Sequence, residues 1–365
     1  MRLFLLIGLL LLFQGISLGQ EKLKVAVAGL THGHVGWVLD AHRKGDLEIL
    51  GIAEANRELA ERLCNNYGIS TDLIYPNLEL LLEKIQPEAI TAFGNTFDHL
   101  AVVQKAAPKG VHVMVEKPLA VSLEHGLEMQ SLAKSHGIHL LTNYETSWYP
   151  TNHFAKELTQ KGEIGDIRKV VVRDGHRGPK KIGVGKEFLD WLTDPELNGG
   201  GALMDFGCYG ANLMTWLTEG ERPRSVTALT QQLQPENNRN VDDEATILVQ
   251  YPDKLLIIEA SWNWPMGRKD MEIYGLIGAI YADNRNDLRV RIAEGYDGYS
   301  EEKMNLPELE SPYRDPFELL KSVVREEIIL PKFDLYSLEN NMLVMEILQA
   351  AKESATTGKT IFLEK

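Results

Sequence analysis

The chain has 365 residues, 44% of them hydrophobic and 25% charged, a composition typical of globular proteins long enough for two domains. Its formal net charge of −14, which no long Lys/Arg block offsets, argues against nucleic acid and anionic membrane surfaces as partners. We therefore expect a small-molecule partner and no nucleic acid.

The first residues differ from the rest of the chain. Residues 1–20 contain one Arg, an apolar stretch from Leu3 to Phe13, and then the small residues Ser17 and Gly19. This order is typical of a secretory signal peptide that is cleaved after the small residues. A membrane anchor is the alternative, but the apolar stretch is short for a span. We predict export to the periplasm or the extracellular space, with no membrane span after cleavage.

Residues 21–143 alternate between strand and helix patterns. Buried strands are predicted over 23–30, 47–56, 88–94, 111–118 and 138–144. Each is separated from the next by amphipathic helical sequence, which predicts an α/β fold with a doubly wound parallel sheet. We interpret 21–143 as a Rossmann domain that binds NAD.

Residues 144–365 have a different pattern, with longer strands in which apolar and polar residues alternate. Such strands are predicted over 166–176, 224–234, 244–252, 254–264, 270–283 and 287–296. This alternation indicates a large, mostly antiparallel open sheet in a second α/β domain, for substrate binding and oligomerisation. A long helix is predicted to end at Gly358, and it can pack back on the Rossmann domain.

The turn after the first strand carries a degenerate dinucleotide motif. Gly29 stands where the first glycine of that turn belongs, but Thr31 and His34 replace the two later glycines. Thr31 can cap the next helix and donate to a phosphate, and Gly33 allows close backbone approach. We predict that Gly29, Thr31, His32, Gly33 and His34 bind the cofactor.

The same turn raises the alternative of a metal site. His32 and His34 are too few ligands by themselves, and no Cys or carboxylate lies at ligand spacing. We predict no metal; a surface position at the start of the helix stays open for His32.

Two other strand ends carry candidate cofactor ligands. Glu54 ends the second strand, where an acidic residue bonds the ribose 2′-OH and repels a 2′-phosphate, which favours NAD over NADP. An ordinary acid at a helix start is its alternative. Asn95 and Thr96 follow the 88–94 strand, where the nicotinamide ribose is expected.

The stretch Glu116–Lys117–Pro118 follows a run of β-branched residues. Pro118 disfavours helix at Lys117, so the lysine is extended at the carboxyl edge of the sheet, where ligands bind. A surface ion pair is the alternative, and it would contribute little. We predict that Lys117 is a site residue and that Glu116 anchors the turn or contacts the cofactor.

The segment 199–217 begins with three glycines and carries three polar residues at helical spacing. Asp205, Tyr209 and Asn212 would share one helix face, a set suited to carbohydrate hydroxyls. The phenol can serve as general acid/base if a nearby ammonium lowers its pKa. An amphipathic helix with a capping Asp is the equally weighted alternative.

Together these motifs resemble the glucose–fructose oxidoreductase / inositol dehydrogenase (Gfo/Idh/MocA) family over essentially the whole mature chain. The resemblance is carried by the Gly29 turn, "EKPLA", "GEIGDI", "WLTDPELNGGGALMDFGCY" and "DDEATILVQYP". Tyr209 and Asn212 stand where His and Asp are commonest, which resembles the branch of glucose–fructose oxidoreductases, xylose dehydrogenases and dihydrodiol dehydrogenases.

The resemblance implies nicotinamide chemistry on a sugar or polyol and a homo-oligomer built on the open sheet. It implies that Lys117 lies near the substrate hydroxyl and the cofactor ribose, that Asp205 orients the substrate, and that Tyr209 is the acid/base. Tyr144 and Trp148 follow the last Rossmann strand and are predicted to bind the sugar, with interdomain packing as the alternative.

Three functions remain open at the level of sequence. The first is an NAD-dependent sugar oxidoreductase, whose nicotinamide is tightly bound if the protein is exported. The second is a redox-neutral NAD-dependent glycosidase that acts through a transient keto sugar and elimination. The third is a non-catalytic dinucleotide-binding protein, against which the trio Lys117, Asp205 and Tyr209 argues.

Overall fold

The computed structural model describes residues 21–363, so the predicted signal peptide over 1–20 lies outside the described residues. The first part of the chain contains β1 (Leu23–Ala28), α1 (Val35–Lys44), β2 (Leu47–Ala53), α2 (Arg57–Tyr67), β3 (Ile74–Tyr75), α3 (Leu78–Lys84), β4 (Ala89–Ala92), α4 (His99–Ala106), β5 (His112–Glu116), α5 (Leu123–His136) and β6 (Leu140–Asn143).

The second part begins with helices and continues with strands. It contains α6 (Pro150–Gln160), β7 (Ile167–Gly175), α7 (Pro179–Ile182), α8 (Lys186–Leu192), α9 (Ala202–Asp205), α10 (Gly207–Leu217), β8 (Ser225–Gln231), β9 (Glu244–Gln250), β10 (Leu255–Ser261), β11 (Arg268–Gly275), β12 (Gly278–Ala282), β13 (Asp287–Glu294), β14 (Gly298–Asn305), α11 (Pro316–Val324), α12 (Leu338–Thr357) and β15 (Ile361–Phe362).

The first sheet is parallel throughout, with the strand order β3-β2-β1-β4-β5-β6. Its central strands are buried on both faces because helices cover both sides, and this is why their sequences are continuous apolar runs. The order reverses between β1 and β4, so a crevice opens at the carboxyl ends of these two strands. The predicted Rossmann fold is confirmed; β3, only two residues long, was not predicted.

The second sheet has nine strands in the order β14-β13-β12-β11-β7-β10-β9-β8-β15. All neighbours are antiparallel except β7 and β10, which confirms the mostly antiparallel sheet. The strand predicted over 270–283 is instead the hairpin β11–β12, because Leu276 and Ile277 form its turn. The polar strand β14 was not predicted, since it lacks an apolar face.

The last helix, α12, contacts both parts of the chain. It packs on α10 and β8 and also on α5 and β6, and it ends at Gly358 in the left-handed conformation, as predicted. Among residues 21–363, no helix combines the length and apolar character needed to cross a membrane.

Candidate functional site

The turn after β1 is shaped to receive a dinucleotide. Gly29 has φ +77°, and a Cβ there would lie 2.6 Å from the Cα of Gly94, so only glycine fits. Helix α1 then begins without an acidic residue in its first turn and without a side-chain cap. The N–H groups of Val35 and Trp37 bond to the carbonyls of His32 and His34. The positive end of the helix dipole, with no carboxylate in the first turn, is therefore what suits a pyrophosphate here. Thr31 lies half-buried between these features.

Glu116 joins this turn to the end of β5. Its carboxylate contacts His34 Nδ1 at 3.0 Å and accepts a 2.7 Å hydrogen bond from the Asn143 amide. Burial opposes ionisation, but His34 and the Asn143 bond outweigh it and lower the pKa of Glu116 to about 2. Glu116 therefore stays ionised and anchors the turn.

His32 is the third member of this group. Its ring is buried near Phe188 and Trp191, with ring centroids 4.9 and 5.7 Å away, and burial lowers its pKa well below the usual value. Donor atoms of His32, His34 and Glu116 lie within 4.8 Å of one another, close enough to hold a metal ion. The sequence could not reveal this group because Glu116 comes from a different strand.

The other predicted cofactor residues lie at the ends of neighbouring strands. Glu54 accepts hydrogen bonds of 2.8 Å from the backbone N–H groups of Leu30 and Asn56. Its carboxylate thus fixes the turn from the β2 side. Asn95 caps the following segment through Asp98, while buried Thr96 bonds to Asn198 at 3.3 Å.

Lys117 and Asp205 form a buried ion pair. The Lys117 ammonium donates to the Asp205 carboxylate and, at 3.1 Å, to its backbone carbonyl. Trp262 Nε1 donates to the second carboxylate oxygen at 3.0 Å. Burial disfavours both charges, but each partner reverses this effect, raising the pKa of Lys117 and lowering that of Asp205. Lys117 is thus a buried residue and not part of a surface pair.

The sequence predicts one helix that carries both Asp205 and Tyr209, but the structure places them on two helices. Asp205 ends α9, Phe206 interrupts the helix, and Tyr209 lies in the first turn of α10. The break still leaves both side chains on the side of Lys117, whose Nζ lies 5.4 Å from the centre of the Tyr209 ring.

Tyr209 is buried, and two lysines approach its ring. Lys269 Nζ lies 4.9 Å from the ring centre, closer than Lys117. Burial nevertheless raises the pKa of Tyr209 well above its usual value, and the nearby carboxylates, Glu145 foremost, raise it further. The sequence analysis expected a nearby ammonium to lower this pKa; burial and the surrounding carboxylates raise it instead.

A second lysine–carboxylate pair lies opposite the first and was not predicted. The Lys269 ammonium donates to Glu145, which also accepts a 2.7 Å bond from the Tyr149 hydroxyl. Glu145 directly follows Tyr144 in the sequence, but nothing in the β11 pattern singles out Lys269.

One more buried acid lies beside this pair. Asp174 of β7 faces Lys269 across the β7–β11 ladder and is fully buried. Its carboxyl oxygens have no hydrogen-bond partner among the described residues, and burial raises its pKa well above the usual value.

Three predicted substrate residues lie behind the site. Tyr144 is fully buried, with its ring 5.4 Å from that of Tyr209. Trp148 bonds to the Tyr144 carbonyl at 2.9 Å and packs edge-on against Trp37. Asn212 points away, donating to the Leu335 carbonyl at 2.8 Å and to Asn340 of α12.

A cavity of about 1110 Å³ joins the turn to the second domain. Predicted residues that line it are His32, Gly33, His34, Lys117, Asp205 and Tyr209. The cavity also receives Glu145, Tyr149, His176 and Lys269, so the ion pairs described above form its floor. A ligand in it would contact the cofactor turn and the buried phenol together.

Two known family models match the chain. Residues 23–144 match an oxidoreductase family with an NAD-binding Rossmann fold, and residues 153–281 match the GFO/IDH/MocA C-terminal domain. The chain belongs to the Gfo/Idh/MocA family. The predicted resemblance to this family is confirmed.

Two curated relatives illustrate the distance within the family. The trans-1,2-dihydrobenzene-1,2-diol dehydrogenase of Oryctolagus cuniculus is 27% identical over 230 residues, which is 62% of this chain and 65% of the relative. That of Xenopus tropicalis is 26% identical over 209 residues, 57% of this chain and 59% of the relative. The chain thus spans less than two thirds of either relative.

Solved structures of other oxidoreductases share the fold over most of this chain. An aldose-aldose oxidoreductase from Caulobacter crescentus, complexed with glycerol, superposes with a TM-score of 0.77 at 20% identity, covering 94% of this chain and 100% of the other. An inositol dehydrogenase homologue from Azotobacter vinelandii, complexed with NAD⁺, gives 0.78 at 16% identity and covers 94% and 98%. At this identity the likeness concerns the fold.

Proposed function

We propose that this Gfo/Idh/MocA protein transfers a hydride between a hydroxyl-bearing carbon of a neutral sugar, or sugar derivative, and NAD. The observation that carries the proposal is the buried Tyr209 phenol between two lysine–carboxylate pairs, on the floor of a cavity that begins at the dinucleotide turn. Such a floor offers a proton-transfer group and fixed hydrogen-bonding partners together.

The charges around the cavity favour an uncharged substrate. Each cation that lines it already has a carboxylate partner: Lys117 with Asp205, Lys269 with Glu145, Arg268 with Asp270, Arg285 with Glu308, and Arg289 with Asp283. A phosphate or carboxylate on the substrate would have to compete with these pairs. Hydroxyl groups can bond to them without doing so.

The residues have separable roles in the proposed reaction. Lys117 and Trp262 hold the Asp205 carboxylate in place, and Asp205 orients the substrate hydroxyl. Tyr209, whose raised pKa keeps it protonated, donates its proton to the substrate oxygen in the reduction direction. In the oxidation direction the hydroxyl proton passes to the same phenol oxygen after it has ionised. A bound nicotinamide supplies the hydride exchange itself.

We propose NAD, not NADP, as the cofactor because Glu54 would meet a 2′-phosphate with a negative charge. Gly29 and the uncapped start of α1 would hold the pyrophosphate. We also keep export as a proposal that rests on residues 1–20. An exported enzyme would need a tightly held NAD, because outside the cytoplasm there is little free nicotinamide cofactor with which a reduced NADH could be exchanged.

Export also favours a second candidate, a redox-neutral NAD-dependent glycosidase. Oxidation of the sugar would acidify a neighbouring C–H bond, elimination would release the aglycone, water would add, and the hydride would return. Because the cofactor ends as it began, this cycle needs no external nicotinamide pool.

One experiment separates these functions. The purified protein is denatured and the released nucleotide identified, and the intact protein is titrated with NAD and NADP. It is then incubated with neutral sugars plus NAD, and with aryl glycosides without added NAD. Reduction of NAD by a sugar supports the oxidoreductase, whereas aglycone release without net reduction supports the glycosidase.

Two outcomes contradict both enzyme proposals. If the protein does not bind NAD, the oxidoreductase and the glycosidase proposals are both wrong. If it binds NAD but catalyses neither reaction, it is a non-catalytic dinucleotide-binding protein. Within an active reaction, Tyr209→Phe should lower kcat by about 10²-fold or more, as expected for loss of an acid/base group.

A further inference from the structure

The outer wall of the cavity is apolar, in contrast with its floor. Helix α7 with the residues after it and the loop between β10 and β11 build this wall. Its residues are Pro179, Ile182, Val184, Trp264, Pro265 and Met266. Ile182 is 44% exposed and Met266 is 67% exposed, although both are large apolar side chains. Exposed apolar groups collected at the mouth of a cavity indicate a binding surface.

Backbone hydrogen bonds join the loop after β7 to the loop after β10. The loop after β7 begins at His176, whose N–H donates to the Ser261 carbonyl at 3.0 Å. In return the Trp264 N–H donates to the His176 carbonyl at 3.1 Å. A Cβ at Gly175 would lie 2.7 Å from the Trp264 ring, so glycine is what lets the indole pack against β7. The wall is therefore a preformed surface.

One charged side chain that contacts this wall, Arg268, has a carboxylate partner. Arg268 lies over the Trp264 ring at 5.5 Å, and its guanidinium pairs with Asp270. The cofactor turn lines the same cavity, where the His32 ring lies 4.9 Å from that of Phe188. A ligand group that covers the exposed side chains of Ile182 and Met266 would therefore be apolar.

We propose that this wall binds the apolar aglycone of a glycoside whose sugar lies on the polar floor beside Asp205 and Tyr209. The substrate class is an aryl or alkyl glycoside. The inference rests on the proposed function, because it presumes that the sugar occupies the floor. Its basis is the continuity of an exposed apolar surface with a floor of neutralised charges.

The test compares phenyl and methyl glycosides of the same sugars, titrated calorimetrically into the full NAD-loaded protein. Burying a phenyl group on the wall should tighten binding about tenfold or more over the methyl glycoside. Equal affinities for the two would overturn the inference while leaving the proposed function intact. If no glycoside in the panel binds although free sugars reduce NAD, the aglycone site falls and the proposed function stands; if free sugars fail as well, both fall.

Variants locate the effect. Ile182→Gln with Met266→Gln should reduce the phenyl-to-methyl ratio to about threefold or less and leave methyl glycoside affinity unchanged. Ile329→Gln is the matched control, since this residue is 93% exposed and lines a different cleft, and it should keep the full ratio. A full ratio in the double variant would contradict the proposal.

A second copy of the chain is the competing occupant of the wall. Sedimentation velocity of the double variant distinguishes the two. Unchanged assembly with a lost phenyl preference supports the aglycone site. Changed assembly with the preference retained would instead make the wall an interface between copies.

Discussion

At the scale of single residues, the pKa of Tyr209 depends on the charged groups that surround its ring in the fold. Two ammonium groups lie within 5.4 Å of the ring centre, yet each is neutralised by its own carboxylate. Glu145 is the charge that most raises the pKa of Tyr209, after burial itself. Ionisation of the phenol should therefore respond to Glu145.

We predict that Glu145→Gln shifts the pH dependence of catalysis. Removing this negative charge lowers the pKa of Tyr209 and frees the Lys269 charge, so the rise in kcat for sugar oxidation should move down by about one pH unit. The measurement is the pH–rate profile with NAD and a sugar substrate. Asp283→Asn, another cavity carboxylate that pairs with Arg289, should leave the profile in place. A shift to higher pH would contradict this account.

A second prediction concerns Glu116. Its pKa of about 2 lies below the unfolded value of 4.5, so its contribution to stability is present above about pH 4.5 and is lost as the pH falls towards 2. Glu116→Gln should lower the free energy of unfolding at pH 7 by on the order of 3 kcal/mol. The difference from wild type should shrink steadily between pH 4.5 and 2.

Urea unfolding at several pH values tests this prediction. The exposed Glu48→Gln, on β2, is the control and should match wild type throughout. A difference that stays constant as the pH falls would show that Glu116 acts by packing alone.

At the scale of elements, the start of α9 determines where Asp205 lies. The Asp242 carboxylate accepts bonds from the backbone N–H groups of Gly201 and Leu203 at 2.9 and 2.7 Å. The Asp242 carbonyl in turn accepts from the Ala202 N–H at 3.0 Å. These bonds fix a four-residue helix that is too short to be stable alone.

We predict that Gly201→Ala disrupts this junction. A Cβ at residue 201 would lie 1.8 Å from the Asp242 carbonyl oxygen, so the backbone must move. Stability should fall by about 3 kcal/mol or more, and the remaining folded protein should lose activity because Asp205 is displaced. Gly185→Ala is the control, since its Cβ would meet only Glu187 at 3.6 Å. Thermal unfolding and kcat of the Gly201→Ala variant test this prediction, and wild-type values for both would refute it.

At the scale of the whole molecule, α12 joins the two sheets. The N–H of Thr142, in β6, donates to the Tyr336 carbonyl at 3.1 Å just before α12 begins. From the other side, Asn212 donates to the Leu335 carbonyl and to Asn340. Asn212 thus lies between α10 and the start of α12, a position that its helical spacing from Tyr209 could not indicate.

We predict that Asn212→Ala lowers stability without affecting substrate binding. It removes two buried hydrogen bonds, which should lower the free energy of unfolding by about 2 kcal/mol. KM for the sugar should stay within about twofold, because this side chain lies outside the cavity. Asn340→Ala should have the same signature. A raised KM at unchanged stability would restore Asn212 as a substrate ligand.

The sequence alone determined the order of most strands and helices, because apolar periodicity is a local property; β3, which is two residues long, and β14, which lacks an apolar face, escaped it. It also placed Lys117 at the carboxyl edge of the first sheet, since the residue before proline is extended and parallel strands end together. The Gly29 turn and the family followed from short motifs of contiguous residues.

Only the tertiary structure decided which charges meet. The pairs of Lys269 with Glu145 and of Glu116 with His34 join segments distant in the chain, and no local pattern encodes such partners. The direction of the Tyr209 pKa follows from the same fact. Burial and the sum of surrounding charges set it, and both exist only once the sheets and helices have packed.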